Sequence, residues 1–106
     1  MNANYLVVMT TVASESDAAR LAESIVEGKL AACVQMQNIS SVYRWAGKLC
    51  REPEILLAIK TSTAKFAELE SHIKANHPYQ TPEIAAVPLT HGSQEYLRWI
   101  DDSIAP

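Results

Sequence analysis

The chain has 106 residues, of which 48% are hydrophobic and 20% are charged. This length predicts one domain spanning residues 1–106, and the apolar content suffices for one core, which excludes a two-domain protein and a disordered chain. The formal net charge of −3 provides no basic surface for phosphate groups. Nucleic acid is therefore not expected as a partner.

The apolar runs of the chain are too short to cross a membrane. The longest, Tyr5–Met9 and Ile55–Ile59 among them, have five residues each, against the roughly 20 that a membrane-spanning helix needs. No Lys or Arg precedes Arg20, and two threonines follow the first apolar run where a signal peptide needs small residues. We therefore expect a cytoplasmic protein without membrane contact, whose cysteines are thiols.

The N-terminal third predicts a strand followed by a helix. The β-branched run Tyr5–Met9 favours the strand. Ser14 is placed to cap a helix over 15–27, and Asp17 stands in the reciprocal position of a capping box. Gly28 is expected to supply the left-handed residue at which this helix ends.

Residues 31–62 change to the period of a strand and predict one long hairpin. Its turn is expected at Ala46–Gly47 or Gly47–Lys48, because a two-residue turn requires the positive φ angles that glycine adopts readily. Pro53 cannot donate to a β-ladder. We therefore expect either a bulge or an unpaired edge at that position.

A second helix follows the hairpin, with Ser62 or Thr63 as its cap and Pro78 as its end, since the residue before proline leaves the helical region. Its apolar stripe is expected to be Phe66, Leu69 and Ile73. Its solvent face predicts two i,i+4 pairs: Glu68 with His72 and Glu70 with Lys74.

The C-terminal third predicts a fourth strand and a third helix. Residues 84–89 form the strand, and Pro88 confines it to an edge of the sheet. Gly92 and Ser93 open the helix. The order β-α-β-β-α-β plus a C-terminal helix is typical of the α+β, ferredoxin-like arrangement, with an antiparallel sheet in the strand order 4-1-3-2.

The two predicted central strands are apolar on both faces, although helices cover only one face of such a sheet. In addition, about 14 residues per hairpin arm give a length of roughly 45 Å, against a radius of gyration of only ~13 Å for a compact domain. We therefore predict a closed symmetric oligomer that pairs the overhanging edges. The alternative is a monomer whose hairpin is broken at Pro53.

The cysteines and histidines do not form a metal-binding motif. On the hairpin, Cys50 lies opposite Tyr43 or Trp45, and Cys33 lies roughly 30 Å away on the same arm. The two cysteines therefore cannot form a disulfide within one chain. No C-x-x-C or H-x-x-x-H pair is present to indicate a structural zinc site.

The proline-flanked loop 77–83 (His77-Pro-Tyr-Gln-Thr-Pro-Glu83) is a candidate binding segment, because a rigid loop loses little entropy on binding. The alternative is a plain connector with Glu83 as a surface charge. There is no glycine-rich phosphate loop and no local set of nucleophile and base. We therefore do not expect an enzyme.

Several segments together resemble one known family, the CutA or divalent-cation tolerance family, over nearly the whole chain. The loop ending in Glu83 and the Trp-x-Gly-Lys turn are the most specific of them. The segments are Lys29–Val34, Val42–Leu49, Lys60–Thr61, His77–Ile84 and Thr90–Trp99.

The resemblance implies a homotrimer akin to the PII signalling proteins, in the cytoplasm, with a role in tolerance of copper and other divalent metals. Copper sites proposed for the family use a cysteine at the end of the first strand and two adjacent histidines. Here those positions hold Met9, Asn76 and His77. Thioether and imidazole groups both suit copper, so a bound copper ion is expected at His77 and Met9.

The competing interpretation is a PII-like regulatory trimer that binds a small anion or another metabolite between subunits. Lys60 would supply a charge and Tyr79 a directional donor. Thr81, Glu83 and Trp45 would complete this ligand cleft. A scaffold that only holds a partner protein is the third possibility.

Overall fold

The structure is a computed structural model that describes residues 4–106. One short 3-10 turn, at Thr63–Lys65, precedes the second helix. The helices and strands are β1 (Tyr5–Val12), α1 (Glu15–Glu27), β2 (Cys33–Trp45), β3 (Lys48–Ser62), α2 (Phe66–Asn76), β4 (Ala85–Pro88) and α3 (Gln94–Ile104).

The four strands form one antiparallel sheet in the order β2-β3-β1-β4. This is the predicted order, with β1 and β3 in the centre and the proline-containing β4 at an edge. The α+β, ferredoxin-like prediction, with a long hairpin and a C-terminal helix, is confirmed. β1 continues three residues beyond the predicted apolar run, because Thr10, Thr11 and Val12 also pair with β3.

The main core lies between one face of the sheet and helices α1 and α2. Val8, Leu57 and Ile59 are fully buried on the sheet, and Leu69 and Ile73 are fully buried on α2. The period of two along a strand turns alternate residues toward this core.

Helix α3 packs on a smaller cluster that includes Tyr5 and Ala32, where it buries Ile100 and Ile104. Tyr5 lies an odd number of residues from Val8, so α3 covers the opposite face of the sheet. Helix α3 covers only the end of this face that contains Tyr5 and Ala32. Val7, Met9, Leu56 and Ala58 share that face and are only half-buried.

Ser14 caps helix α1 as predicted, whereas the Asp17 carboxylate pairs with Arg20. The end of the helix differs from the prediction by one residue. The Ser14 side chain accepts a hydrogen bond from the Asp17 N–H at 3.1 Å. Gly28 has a φ of −77°, and the left-handed residue is Lys29, with a φ of 57°. Leu30 N–H donates to the Ile25 carbonyl, which completes a Schellman end with lysine in the usual position of glycine.

Helix α2 confirms one predicted side-chain pair and replaces the other. Lys74 lies 3.3 Å from Glu70. His72 instead contacts the Ser24 hydroxyl on α1 at 2.8 Å, so its pairing with Glu68 was wrong. Of the two predicted caps, Ser62 directly precedes the 3-10 turn at Thr63–Lys65 and makes no side-chain capping hydrogen bond.

The hairpin turns at Ala46–Gly47, where both residues have positive φ. Tyr43 pairs with Cys50, one of the two predicted registers, and both cysteines are free thiols. β1 pairs only with residues 55–62 of β3, so residues 39–54 extend beyond it; we call them the overhang.

Pro53 lies in the overhang with an unbroken register, opposite Ser40. The predicted bulge is therefore wrong, and the unpaired edge is correct. The long axis of the described chain measures 44 Å. Within residues 4–106, no helix is both long enough and apolar enough to span a membrane.

Candidate functional site

A cleft of about 640 Å³ lies between the overhang and the 77–83 loop. Four of the five residues predicted for a ligand cleft line it: Trp45, Tyr79, Thr81 and Glu83. This volume is in the range of small-molecule sites. The chain therefore brings the predicted loop and the predicted turn to one place, although they lie more than thirty residues apart in sequence.

His77 fixes the loop at its start. His77 directly follows α2 and has an extended backbone. Both nitrogens of its ring form hydrogen bonds. Tyr79 N–H donates to His77 Nδ1 at 3.1 Å, which leaves the ring Nε2–H to donate to the Thr11 carbonyl at 2.8 Å. Burial lowers the pKa of His77 and favours this neutral ring.

Tyr79 and Glu54 join the loop to the hairpin. The Tyr79 hydroxyl donates to the Glu54 carboxylate at 2.7 Å. Burial, followed by the hydrogen bond and charge of Glu54, raises the pKa of the Tyr79 phenol far above its ordinary value, so the hydroxyl stays a donor. Glu54 itself is only 8% exposed.

Glu54 is the site residue that sequence reasoning missed. It directly precedes the apolar run Ile55–Ile59, and strand alternation puts it on the same face as Leu56. The sequence did contain a signal, because a carboxylate directly beside an apolar central strand is placed for burial. A buried charged residue usually has a polar partner, which marks Glu54 as a candidate site residue.

The hairpin wall of the cleft is aromatic and acidic. Tyr43 and Trp45 are 37% and 49% exposed, respectively. Burial and the charge of Glu52 raise the pKa of the Tyr43 phenol. Among residues 4–106, the cleft lining holds three carboxylates, from Glu52, Glu54 and Glu83, and no Lys, Arg or His.

Lys60, the fifth predicted cleft residue, lies elsewhere in the single chain. Its ammonium group donates to Gln35 Oε1 at 2.6 Å. Lys60 is six residues from Glu54 on β3, which corresponds to about 20 Å. Without Lys60, the part of the cleft lining that the structure describes carries no positive charge for a small anion.

The predicted metal ligands Met9 and His77 do not by themselves form a complete donor set. Met9 precedes by two residues the Thr11 carbonyl that His77 binds. Within residues 4–106, no three His, Cys, Asp or Glu side chains converge on one point. A metal at His77 must also displace one of its two ring partners.

The fold and the cleft define a class of protein. It is a small α+β sandwich whose hairpin overhangs its sheet and forms a ligand-sized cleft with a proline-flanked loop. The sequence profile of the CutA1 divalent ion tolerance protein family matches residues 6–103.

Individual relatives agree with this match. The divalent-cation tolerance protein CutA of Thermus thermophilus is 44% identical over 98 residues, which cover 92% of this chain and 95% of that protein. The chloroplastic CutA protein of Arabidopsis thaliana is 46% identical over 99 residues, which cover 92% of this chain and 54% of that protein.

Solved structures agree as well. The periplasmic divalent cation tolerance protein CutA of Archaeoglobus fulgidus superposes with a TM-score of 0.93 at 39% identity, covering 95% of this chain and 99% of that one. The divalent cation tolerance protein of Thermus thermophilus gives a TM-score of 0.89 at 43% identity, covering 93% and 97%. The chain belongs to the CutA divalent-cation tolerance family.

Proposed function

We propose that this protein acts in tolerance of divalent cations, copper among them, as a cytoplasmic homotrimer without catalytic activity. The observation that carries the proposal is the family match over residues 6–103. Its relatives are named for tolerance and not for a reaction.

The overhang supports the trimer. Its β3 segment has a strand partner on one side only, and a long edge of this kind tends to pair with another chain. Val42 and Leu49, on the overhang, are 59% and 60% exposed. A closed ring of copies would cover these side chains and pair the edge. Sedimentation should give three times the 11.7 kDa chain mass, and a folded single-chain species would contradict the trimer.

Copper is proposed to contact His77, and Met9 is the second expected donor. Because His77 already has two ring partners, the chain does not offer a preformed centre, and weak binding is expected. Copper titrated into the His77→Ala variant should bind more weakly than to the parent protein. His91→Ala, in an exposed segment outside the loop, is the matched control. Equal affinity in all three proteins would remove His77 from the proposal.

A cell-based measurement separates tolerance from binding. A strain lacking this protein should grow more poorly in copper, and the parent gene should restore growth. Unchanged growth after deletion would contradict a role in copper tolerance, whatever the affinity measured in solution.

The second candidate function is PII-like regulation by a small molecule bound in the cleft. The observation that favours it is the cleft of about 640 Å³ lined by Trp45, Tyr79, Thr81 and Glu83. A thermal-shift screen distinguishes the two functions, because a ligand of the folded state raises the melting temperature. Copper should stabilise the protein under the first function and a metabolite under the second.

A further inference from the structure

Two opposite charges lie on one face of β3, with an apolar segment between them. Glu54 and Lys60 are an even number of residues apart in a strand of unbroken register, so their side chains leave the same face of the sheet. Leu56 and Ala58 lie between them on this face, and both are half-buried. The order along the strand is therefore a carboxylate, two apolar side chains and an ammonium group.

Within the described chain, each of these charges is bonded to a neutral group. Glu54 is buried and accepts the Tyr79 hydroxyl. Lys60 is half-buried and donates to the side-chain amide of Gln35. Neither charge belongs to the ion pairs that residues 4–106 form. If an assembly removes more water from this face, each charge needs an opposite charge, because uncompensated burial of a charge is costly.

The apolar segment extends from β3 onto the neighbouring strands. Val7 and Met9 of β1 lie on the same face and are half-buried. Val87 of β4 pairs with Val7 and is 47% exposed. A continuous apolar surface with charges at its rim is typical of an interface. The charges at its two ends therefore tell which parts of two copies meet there.

Strand alternation separates Lys60 from the other cations of the hairpin. Arg44 and Arg51 lie on the opposite face, which is the face of Leu57 and the main core. Lys48 shares the face of Glu54, but it is exposed and lies next to the turn. Among residues 4–106, Lys60 is thus the half-buried cation of this face of the hairpin.

We propose that Lys60 of one copy pairs with Glu54 of the next copy at each interface of a closed ring. The inference rests on the proposed trimer. A head-to-tail interface joins two different parts of the surface in successive copies, so every copy uses both of its charges. Opposite charges that match across an interface determine which surfaces meet. The pair also brings a lysine to the carboxylates of the cleft, as expected from the sequence.

A double-mutant cycle tests the pair in the full-length protein. Sedimentation over a range of concentrations measures the dissociation constant of the assembly for the parent, Glu54→Gln, Lys60→Gln and the double variant. Each single substitution should raise this constant about tenfold. The double variant should be no weaker than the weaker single variant, because losses at residues in contact do not add. Within one chain the two residues lie about 20 Å apart, where losses add.

A charge exchange provides an independent check. Lys60→Glu should dissociate the trimer, because it puts two carboxylates together. Combining it with Glu54→Lys should restore the trimer. Lys48→Glu makes the same change in net charge on the same face and should leave the dissociation constant nearly unchanged. Circular dichroism identifies any variant that does not fold, in which case the cycle of glutamine variants decides.

Three results would overturn the pair. They are losses that multiply in the double glutamine variant, an unchanged dissociation constant in both single variants, and a folded charge-exchange variant that does not assemble. If the parent sediments as a trimer in such a case, the proposed assembly still stands. A parent protein that sediments as a folded single chain instead contradicts the trimer itself, and the pair with it.

Discussion

The sheet body and the overhang use the same kinds of residue with different results. In the body, Leu57 and Ile59 of β3 have no exposed surface, because α1 and α2 cover them. In the overhang, Leu49 of the same strand is 60% exposed, and Val42 on the neighbouring strand β2 is 59% exposed. Side chains of the same strand, β3, are thus fully buried at Leu57 and largely exposed at Leu49, eight residues away.

The comparison teaches that the sequence of the two strands determines their hydrogen-bonded pairing, whereas the helices that pack on the sheet determine which apolar side chains are buried. The overhang keeps its full register from Ile39 to the turn, and none of its residues belongs to either hydrophobic core of the described chain. Its apolar side chains therefore add little to the stability of one chain, since hydrophobic stabilisation scales with the area removed from water. The exposed apolar side chains of the overhang can therefore still be buried against another molecule.

The largest expected effect separates the two regions directly. Leu57→Ala removes a fully buried side chain from the body and should lower the free energy of unfolding by about 2–5 kcal/mol. Leu49→Ala makes the same change in the overhang and, in a single chain, should cost no more than ~0.5 kcal/mol. Denaturant titration of both variants measures the difference.

Protein concentration sharpens this first comparison. If copies of the chain cover the overhang, the cost of Leu49→Ala should grow as the concentration rises, because assembly stabilises the folded state by mass action. A cost that is small and constant at every concentration would contradict burial of Leu49 between copies.

The second effect concerns the contact that links the overhang to the loop. Tyr79→Phe removes the hydroxyl that Glu54 accepts and should cost about 1–3 kcal/mol, because a buried acceptor loses its donor. Tyr96→Phe, on the exposed side of α3, should cost less than ~0.5 kcal/mol. Equal unfolding energies for the two variants would show that the Glu54 contact does not stabilise the fold.

The sequence predicted the elements well where local chemistry decides them. The Ser14 cap, the Ala46–Gly47 turn and the helix end before Pro78 all follow from the residues present. The end of α1 could not be predicted in the same way. A glycine was expected in the left-handed conformation, but the hydrogen bond from Leu30 to Ile25 puts Lys29 there instead.

The site was predicted only in part, because burial is a property of the folded chain. The loop and Trp45 were identified from their sequence, and the structure brings them to one cleft. Glu54 was missed, since nothing in its immediate sequence shows that Tyr79 will lie against it. Lys60 was predicted for a cleft between subunits; within one chain it lies with Gln35, about 20 Å along β3 from Glu54.

The third effect tests two left-handed residues, one in each region. Lys29 at the end of α1 and Ala46 in the turn have φ angles of 57° and 52°. Asparagine tolerates this conformation better, so Lys29→Asn and Ala46→Asn should each raise the free energy of unfolding by up to ~1 kcal/mol. Ala19→Asn, inside α1, should lower it by about 0.5 kcal/mol.

Hydrogen exchange tells whether the overhang opens by itself. If it frays independently of the body, Ala46→Asn should slow exchange in residues 39–54 and leave global unfolding nearly unchanged. Equal gains for Lys29→Asn and Ala46→Asn in global unfolding would mean that the two regions unfold together.

The smallest effect compares two carboxylates. Glu54 has a neutral donor in a buried place, whereas Glu70 has the charged Lys74 on the surface of α2, with 62% of the lysine side chain exposed. Lys74→Gln should cost only about 0.3–0.5 kcal/mol, because water and salt screen an exposed pair. The cost should vanish in about 1 M salt, whereas the cost of Tyr79→Phe should persist there. A salt-independent loss in Lys74→Gln would instead indicate that the lysine stem stabilises α2 by packing. The effect of burial on a carboxylate would then have to be judged from Glu54 alone.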